Sequence, residues 1–395
     1  MSETENTSDM ILLAHGSGGL MMHELIKSFF DSYNSDELRR GDDAAVLVLD
    51  GFNEIASEKA DSMPDAAAAA LVFPTNIAFS TDTFVVTPRF FPGGDIGRLA
   101  VCGTVNDVAT SGAIPRWLSV AFVLEEGFAR CELQRICVSM AEAAAEAGVV
   151  IVTGDTKVVQ RGQGDGVYIN TSGIGVFPDA ARAHSGSHCK PGERIPPGSS
   201  HCKPRSKAPL GGSRCKPGDK ILLSGTLGDH GIAIISQREG LKFETTIQSD
   251  AAPLNHLVQA VLAAAPHTRC FRDPTRGGLA STVNELAAQS NTVFEIDEEA
   301  VPVNDQVRGA CDMLGYDVFH VANEGKMVAV VPADEAEAAL EAMKASRYGK
   351  NAAIIGDVLA LPENDAAAPK AYVRTAFGSR RILDMLAGEQ LPRIC

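Results

Sequence analysis

No apolar run in the 395 residues reaches membrane-spanning length, so a transmembrane segment is not expected. Positive charge is in short supply. Lys and Arg total 35 against 50 Asp and Glu, and the formal net charge of −15 repels nucleic acid and acidic lipid surfaces. Such a chain suits the holding of cations, or the binding of phosphates through metal ions. A basic, apolar leader is missing too: Met1-Ser2-Glu3-Thr4-Glu5 is acidic and polar, against a secretory signal. The nine cysteines are odd in number and sit in apolar contexts such as Ala100-Val101-Cys102-Gly103, which argues against a disulfide framework and for a cytoplasmic location. The phosphate-binding pattern GxxxxGK[ST] matches nowhere, and no GxGxxG follows a strand. A nucleotide, if one is used, must be held another way.

What is present is enough apolar residue, 45% against 22% charged, to bury a substantial core. Leu25, Ile26, Phe29, Phe30 and Tyr33 recur at helical spacing over residues 20–33. Asn76 to Phe84 is rich in strand formers around Ser80-Thr81-Asp82. Helices are expected over Ile96 to Ser111, stopped by Gly112, and Cys131 to Ala147, stopped by Gly148. Strands are expected at Trp117 to Leu124, at a short buried Val149 to Val152, and at Val167 to Phe177. A second series opens at Lys220 to Leu223. It has helices near 253–265, 276–290, 304–314 and 333–345, and strands near 326–331, 353–360 and 370–376. The fold class is α+β, two mixed α/β modules.

Two stretches read as insertions: 51–75, with its alanine run and acidic spacers, and 180–218, rich in Gly, Pro, Ser and Lys. The second repeats itself as His188-Cys189-Lys190-Pro191, His201-Cys202-Lys203-Pro204 and Arg214-Cys215-Lys216-Pro217. The last copy runs directly into a strand and reads as the original. His and Cys are adjacent in the first two copies rather than spaced as zinc ligands are, so a solvated, duplicated loop is the better reading. The domains are then 1–179, the inserted linker 180–218, 219–384, and a mobile tail 385–395.

The chemistry-bearing residues are acidic. Gly41-Asp42-Asp43, Ser80-Thr81-Asp82, Asn106-Asp107 and Gly154-Asp155-Thr156-Lys157 each read as an acidic turn after a strand or at a helix edge. Magnesium binds through a few carboxylates plus substrate phosphates, and Asp43, Asp82, Asp107 and Asp155 supply that donor type if they converge. His15-Gly16-Ser17-Gly18-Gly19 is a glycine-rich loop ahead of a helix. In the second module Gly228-Asp229-His230-Gly231, Asp273-Pro274-Thr275-Arg276-Gly277-Gly278 and Asn323-Glu324-Gly325 are dense polar turns, and Arg276 is suited to phosphate. The chain closes on Leu391-Pro392-Arg393-Ile394-Cys395, a terminal thiol free to swing into a cleft, with Ile394 offering a small apolar contact on docking.

Taken together, Gly103-Thr104-Val105-Asn106-Asp107, Gly154 to Val159, Asp273 to Gly278 and the terminal Pro392-Arg393-Ile394-Cys395 resemble the HypE family of [NiFe]-hydrogenase maturation factors. That family lies within a superfamily shared with aminoimidazole ribonucleotide synthetase, selenophosphate synthetase and thiamine-monophosphate kinase. The resemblance implies a two-domain α/β fold, a homodimer paired through its N-terminal domains, and ATP with Mg2+ between domains. It implies ATP-dependent dehydration of a carbamoyl group on Cys395 to thiocyanate. The implied partners are HypF, which carbamoylates the cysteine, and the HypC–HypD complex, which receives the cyanide. Lys157 and Glu324 match positions near the docked tail, for positioning and proton removal, while Asp43, Asp82, Asn106, Asp107, Asp155, Asp229 and Arg276 fall to ATP and its metal. Selenophosphate synthetase is a rival, but it places a reactive residue near the N-terminal glycine-rich loop, and no cysteine precedes Cys102. A metal chaperone built on the Cys-Lys-Pro repeats is the rival from another class.

Overall fold

The computed structural model describes residues 19–33, 40, 42–48, 76–177, 210–241, 247–362, 371–386 and 394–395. The glycine-rich loop at 15–18, the stretch 51–75 and the first two Cys-Lys-Pro copies lie outside them.

The first module holds helix α1 (Leu20–Tyr33) and strands β1 (Ala45–Val48) and β2 (Asn76–Phe84). A small hairpin follows, β3 (Phe90–Phe91) and β4 (Gly94–Asp95), and leads into helix α2 (Ile96–Thr110). Strand β5 (Ile114–Glu125), helix α3 (Arg130–Ala147), and strands β6 (Val150–Val159) and β7 (Val167–Val176) complete it. The sheet order is β1-β2-β7-β5-β6, antiparallel except for β5–β6, the parallel pair that α3 connects.

Helix α2 starts where Asp95 accepts hydrogen bonds from the Gly97 and Arg98 amides, at 2.7 and 3.0 Å, satisfying donors that a helix start leaves open. It lies across the sheet so closely that a side chain at Gly103 would meet the Phe84 ring at 2.9 Å. This contact brings the polar end of α2 over the inward face of β2, where Ala78, Ser80 and Phe84 are buried.

The second module contains β8 (Lys220–Leu223), α4 (Asp229–Arg238), α5 (Asn255–Ala264), β9 (Cys270–Arg272) and α6 (Gly278–Ser290). It continues with β10 (Val293–Asp297), α7 (Asp305–Leu314), β11 (Val328–Val331), α8 (Ala336–Ala345), β12 (Ala353–Leu359), β13 (Ala371–Arg374) and β14 (Arg380–Ile382). The sheet order is β14-β13-β10-β12-β8-β11-β9. Ile221 and Leu223 pack with α6 on one face, while Leu222 packs with α5 and α8 on the other. Burial on both faces is why β8 and β11 read as unbroken apolar runs.

Several expectations need correction. Val150–Val159 is a long, exposed edge strand rather than a short buried one. An apolar run alone does not separate a core strand from one that presents its side chains outward. Gly154 to Lys157 therefore lies within a strand, as Ser80 to Asp82 does within β2, and Asn106 and Asp107 lie inside a helix, none of them in turns. Gly228-Asp229-His230-Gly231 opens helix α4, with Gly228 at φ 83° where a side chain would strike Val307 at 2.8 Å.

Candidate active site

The second module meets the first along α2. The Asn106 amide donates to the Ala252 carbonyl at 3.0 Å and more distantly to Glu324, and accepts from the Leu254 amide at 2.8 Å. Asn106 is thus a clamp between modules, its amide occupied by backbone. Arg98 reinforces it by donating to the Ala251 carbonyl at 2.8 Å.

An acidic cluster gathers beside this clamp. Ser80 Oγ lies 2.9 Å from both the Asp43 carbonyl oxygen and Asp107 Oδ2. Arg272, from β9, reaches Asp43 at 2.6 Å and Glu285 at 2.8 Å. Arg276 approaches Asp82 at 3.4 Å. Burial raises the Asp43 carboxyl well above its ordinary range despite Arg272, and the negative charges of Asp273 and Glu285 add to the shift. Burial also raises Asp107, reinforced by Asp273, Asp82 and Asp43. Asp82 is raised by burial against the pull of Arg276, and Asp273 is pushed up to about 6 by burial against Arg272. Glu324 is raised well above its ordinary range, first by burial and then by Asp273 and Asp82.

Two buried oxygens in this region, Asp43 Oδ2 and Glu324 Oε1, have no hydrogen-bond partner. Leaving such atoms unpaired is costly. Clustered carboxylates with orphaned oxygens fit a divalent cation. Among the described residues no three His, Cys, Asp or Glu side chains are placed to hold a metal by themselves.

The chain terminus enters the same place. Ile394 is 4% and Cys395 8% exposed, both packed into a buried cluster to which both modules contribute. The Val85 amide donates to a Cys395 main-chain oxygen at 3.3 Å. Burial raises the Cys395 thiol, with the Arg276 charge opposing and the Glu324 and Asp82 charges adding to the rise.

The structure therefore brings together Asp43, Asp82, Asp107, Arg276, Glu324 and Cys395. Asp229 lies deeper, bound to Thr226, to Asn304 at 2.6 Å and near Lys326 at 3.7 Å. Asp155 and Lys157 are not in the cluster of their own chain; exposed on β6, they pair with each other at 2.7 Å. Asp82 opposes Thr171, Thr171 opposes Val120, and Val120 opposes Gly154. Three strand spacings, about 14 Å, separate that row's ends.

Sequence reasoning left three residues of this region without a role: Arg272, Asp273 and His230. Asp273 stood in a motif already singled out. Arg272 carried a signal as the charge that closes the apolar Cys270-Phe271 pair just before the singled-out Asp273 motif.

Residues 41–177 match the family described as AIR synthase related protein, N-terminal domain, and residues 216–366 its C-terminal domain. Over 395 residues the chain is 46% identical to the carbamoyl dehydratase HypE of Azotobacter vinelandii, covering 100% of both chains. The chain belongs to the carbamoyl dehydratase HypE family. Among solved structures, a HypE–HypF complex is 41% identical, covers 93% of this chain and 100% of its own, and superposes with a TM-score of 0.74. A hydrogenase maturation protein HypE in complex with ATP is 43% identical over 98% of this chain and 100% of its own, with a TM-score of 0.71. The HypE assignment makes the chain an enzyme of hydrogenase maturation and its fold the two-domain, mixed α/β architecture of AIR synthase relatives. No helix among the described residues is long and apolar enough to cross a membrane.

Proposed function

We propose that this carbamoyl dehydratase acts on its own terminal residue, converting a carbamoyl group carried on Cys395 Sγ into a thiocyanate at the expense of ATP. The observation that carries the reading is the burial of the Cys395 thiol against Glu324 and Arg276, beside the acidic cluster.

The overall change removes the elements of water from Cys395-S-C(=O)-NH2. Bound ATP with magnesium supplies the phosphoryl group that lets the amide oxygen depart as phosphate, leaving ADP and Cys395-S-C≡N. Glu324 takes a proton from the carbamoyl nitrogen; its raised proton affinity suits a base. Arg276 balances charge at the thiol and toward the phosphates. Asp43, Asp82 and Asp107 hold magnesium and phosphates, while Asn106 and Asp229 fix the cleft walls.

The solved HypE–HypF complex supports HypF as a partner, here taken as the carbamoyl donor, and the HypC–HypD complex is taken as the cyanide acceptor. Edge strand β6 leaves Val150, Val152 and Val158 between 57% and 67% exposed, an apolar edge that pairing with a second copy covers. Asp155 and Lys157 stand on this strand, so we assign them to a site completed by the second copy.

Intact-mass measurement of carbamoylated protein before and after ATP tests the reading. The expected result is loss of one water mass, absent in Cys395→Ser. Loss of that mass with the adduct on another cysteine overturns it.

A further inference from the structure

His230 is fully buried and belongs to none of the groups assigned so far, yet both of its ring nitrogens are engaged. Nε2 lies 2.8 Å from the Ile394 carbonyl oxygen, and Nδ1 lies 2.8 Å from Ser249 Oγ. A carbonyl oxygen only accepts, so Nε2 carries the hydrogen. Ser249 Oγ accepts from the Ala251 amide at 3.1 Å, which leaves its own hydrogen for Nδ1. The relay thus runs in one direction, from the Ala251 amide through Ser249 and the neutral imidazole to the chain end. Burial holds the ring below its ordinary pKa, in keeping with a neutral imidazole.

The ring is itself immobilised. Phe91 meets it edge-on at 5.6 Å and 88°. The Gly231 amide donates to the Ala322 carbonyl at 3.1 Å, and the Gly228 amide to Asn323 Oδ1 at 2.8 Å. The Ser249 amide in turn donates to the Pro92 carbonyl at 2.8 Å. The next residue, Asp250, accepts from the Glu324 amide at 3.0 Å. One short segment therefore orients both the imidazole that holds the tail and the backbone of the carboxyl beside the thiol.

We propose that His230 is the positioning residue of the reaction: its Nε2–H grips the Ile394 carbonyl and thereby sets the Cys395 thiol against Glu324 and Arg276. The grip is on backbone one residue short of the thiol, so it is indifferent to what Cys395 carries and serves free, carbamoylated and cyanated tails alike. Its part in the reaction rests on Cys395 as carrier; the grip itself does not.

The test uses the full chain with His230→Leu, His230→Gln and Ser249→Ala. Iodoacetamide labelling of Cys395 is followed in the peptide 390–395, released by cleavage after Glu389, with the exposed Cys131 as internal standard. Loss of the donor in His230→Leu raises Cys395 labelling about tenfold relative to Cys131 and lowers single-turnover dehydration by a similar factor. Gln, which returns an N–H donor near Nε2, restores most of both, a rescue that a purely structural role does not produce. Ser249→Ala moves both in the same direction by less, and carries the test if the leucine variant fails to fold. Parental labelling of Cys395 in folded His230→Leu or Ser249→Ala overturns the proposal. Raised labelling with no ATP-dependent mass loss in any variant or the parent upholds the grip and overturns the carrier reading instead.

Discussion

Asp43 and Arg272 form a buried ion pair, Oδ1 to Nη1 at 2.6 Å, that ties the start of β1 in the first module to β9 in the second. Arg272 also holds Glu285 at 2.8 Å, and Glu285 keeps a further partner in His23 at 3.1 Å. Replacing Arg272 by Met leaves Asp43 with no cation of its own. Breaking one side of a buried pair costs about 3–5 kcal/mol. Urea denaturation is expected to show that loss, and Arg272→Met combined with Asp43→Asn to recover part of it.

Asp82 repels its acidic neighbours, its charge helping to raise both Asp107 and Glu324 against the partial pull of Arg276. Asp82→Asn is therefore expected to leave the melting temperature unchanged or slightly higher without ligand. Affinity for magnesium-ATP falls about tenfold or more, as loss of a cation's carboxylate support requires. Calorimetric titration separates the two effects, and parental affinity would place the phosphates elsewhere.

Asp250 titrates in the opposite sense. Burial alone would raise its pKa, but Lys326 at 2.9 Å and the Glu324 amide overcome burial and hold it below the ordinary value of 3.8. A depressed folded pKa contributes stability above the unfolded value, lost as pH falls through the folded one. Asp250→Asn is expected to cost about 3 kcal/mol near neutral pH, by the penalty for breaking a buried pair. Denaturant midpoints should show a deficit that is constant down to about pH 5 and closes only below the ordinary carboxylate range.

The exposed edge of β6 predicts an assembly. Val152→Lys combined with Val158→Lys places charge on an apolar edge where neither residue supports the core. Sedimentation velocity is expected to give a dimer for the parent and a monomer of unchanged melting temperature for the double variant. A parental dimer that persists in the variant assigns the interface to another surface.

Much of the frame was legible in advance because its signals are local. Gly148 adopts φ 71° and stops α3 as a helix-ending glycine does, and the strand formers of Asn76 to Phe84 became β2 with those bounds. Strands β9, β10 and β14 were missed, being three to five residues long, too short for periodicity to speak. Helix α4 was missed because two glycines flank its first turn, and glycine reads as a break.

The residues by themselves determined the element alternation, the family pattern and the stock of carboxylates available for a cation. Only the tertiary structure decided which of those carboxylates meet. Asp82 and Asp107 share a site because Gly103 lets α2 settle onto β2, a contact between segments that no local spacing records. Asp155, in an equally suggestive motif, is set three strands away by sheet order. The role of His230, which stood in a motif already singled out, was invisible for the same reason: its partner atoms are the Ser249 hydroxyl and a backbone oxygen 164 residues distant, and a backbone carbonyl carries no signature in sequence.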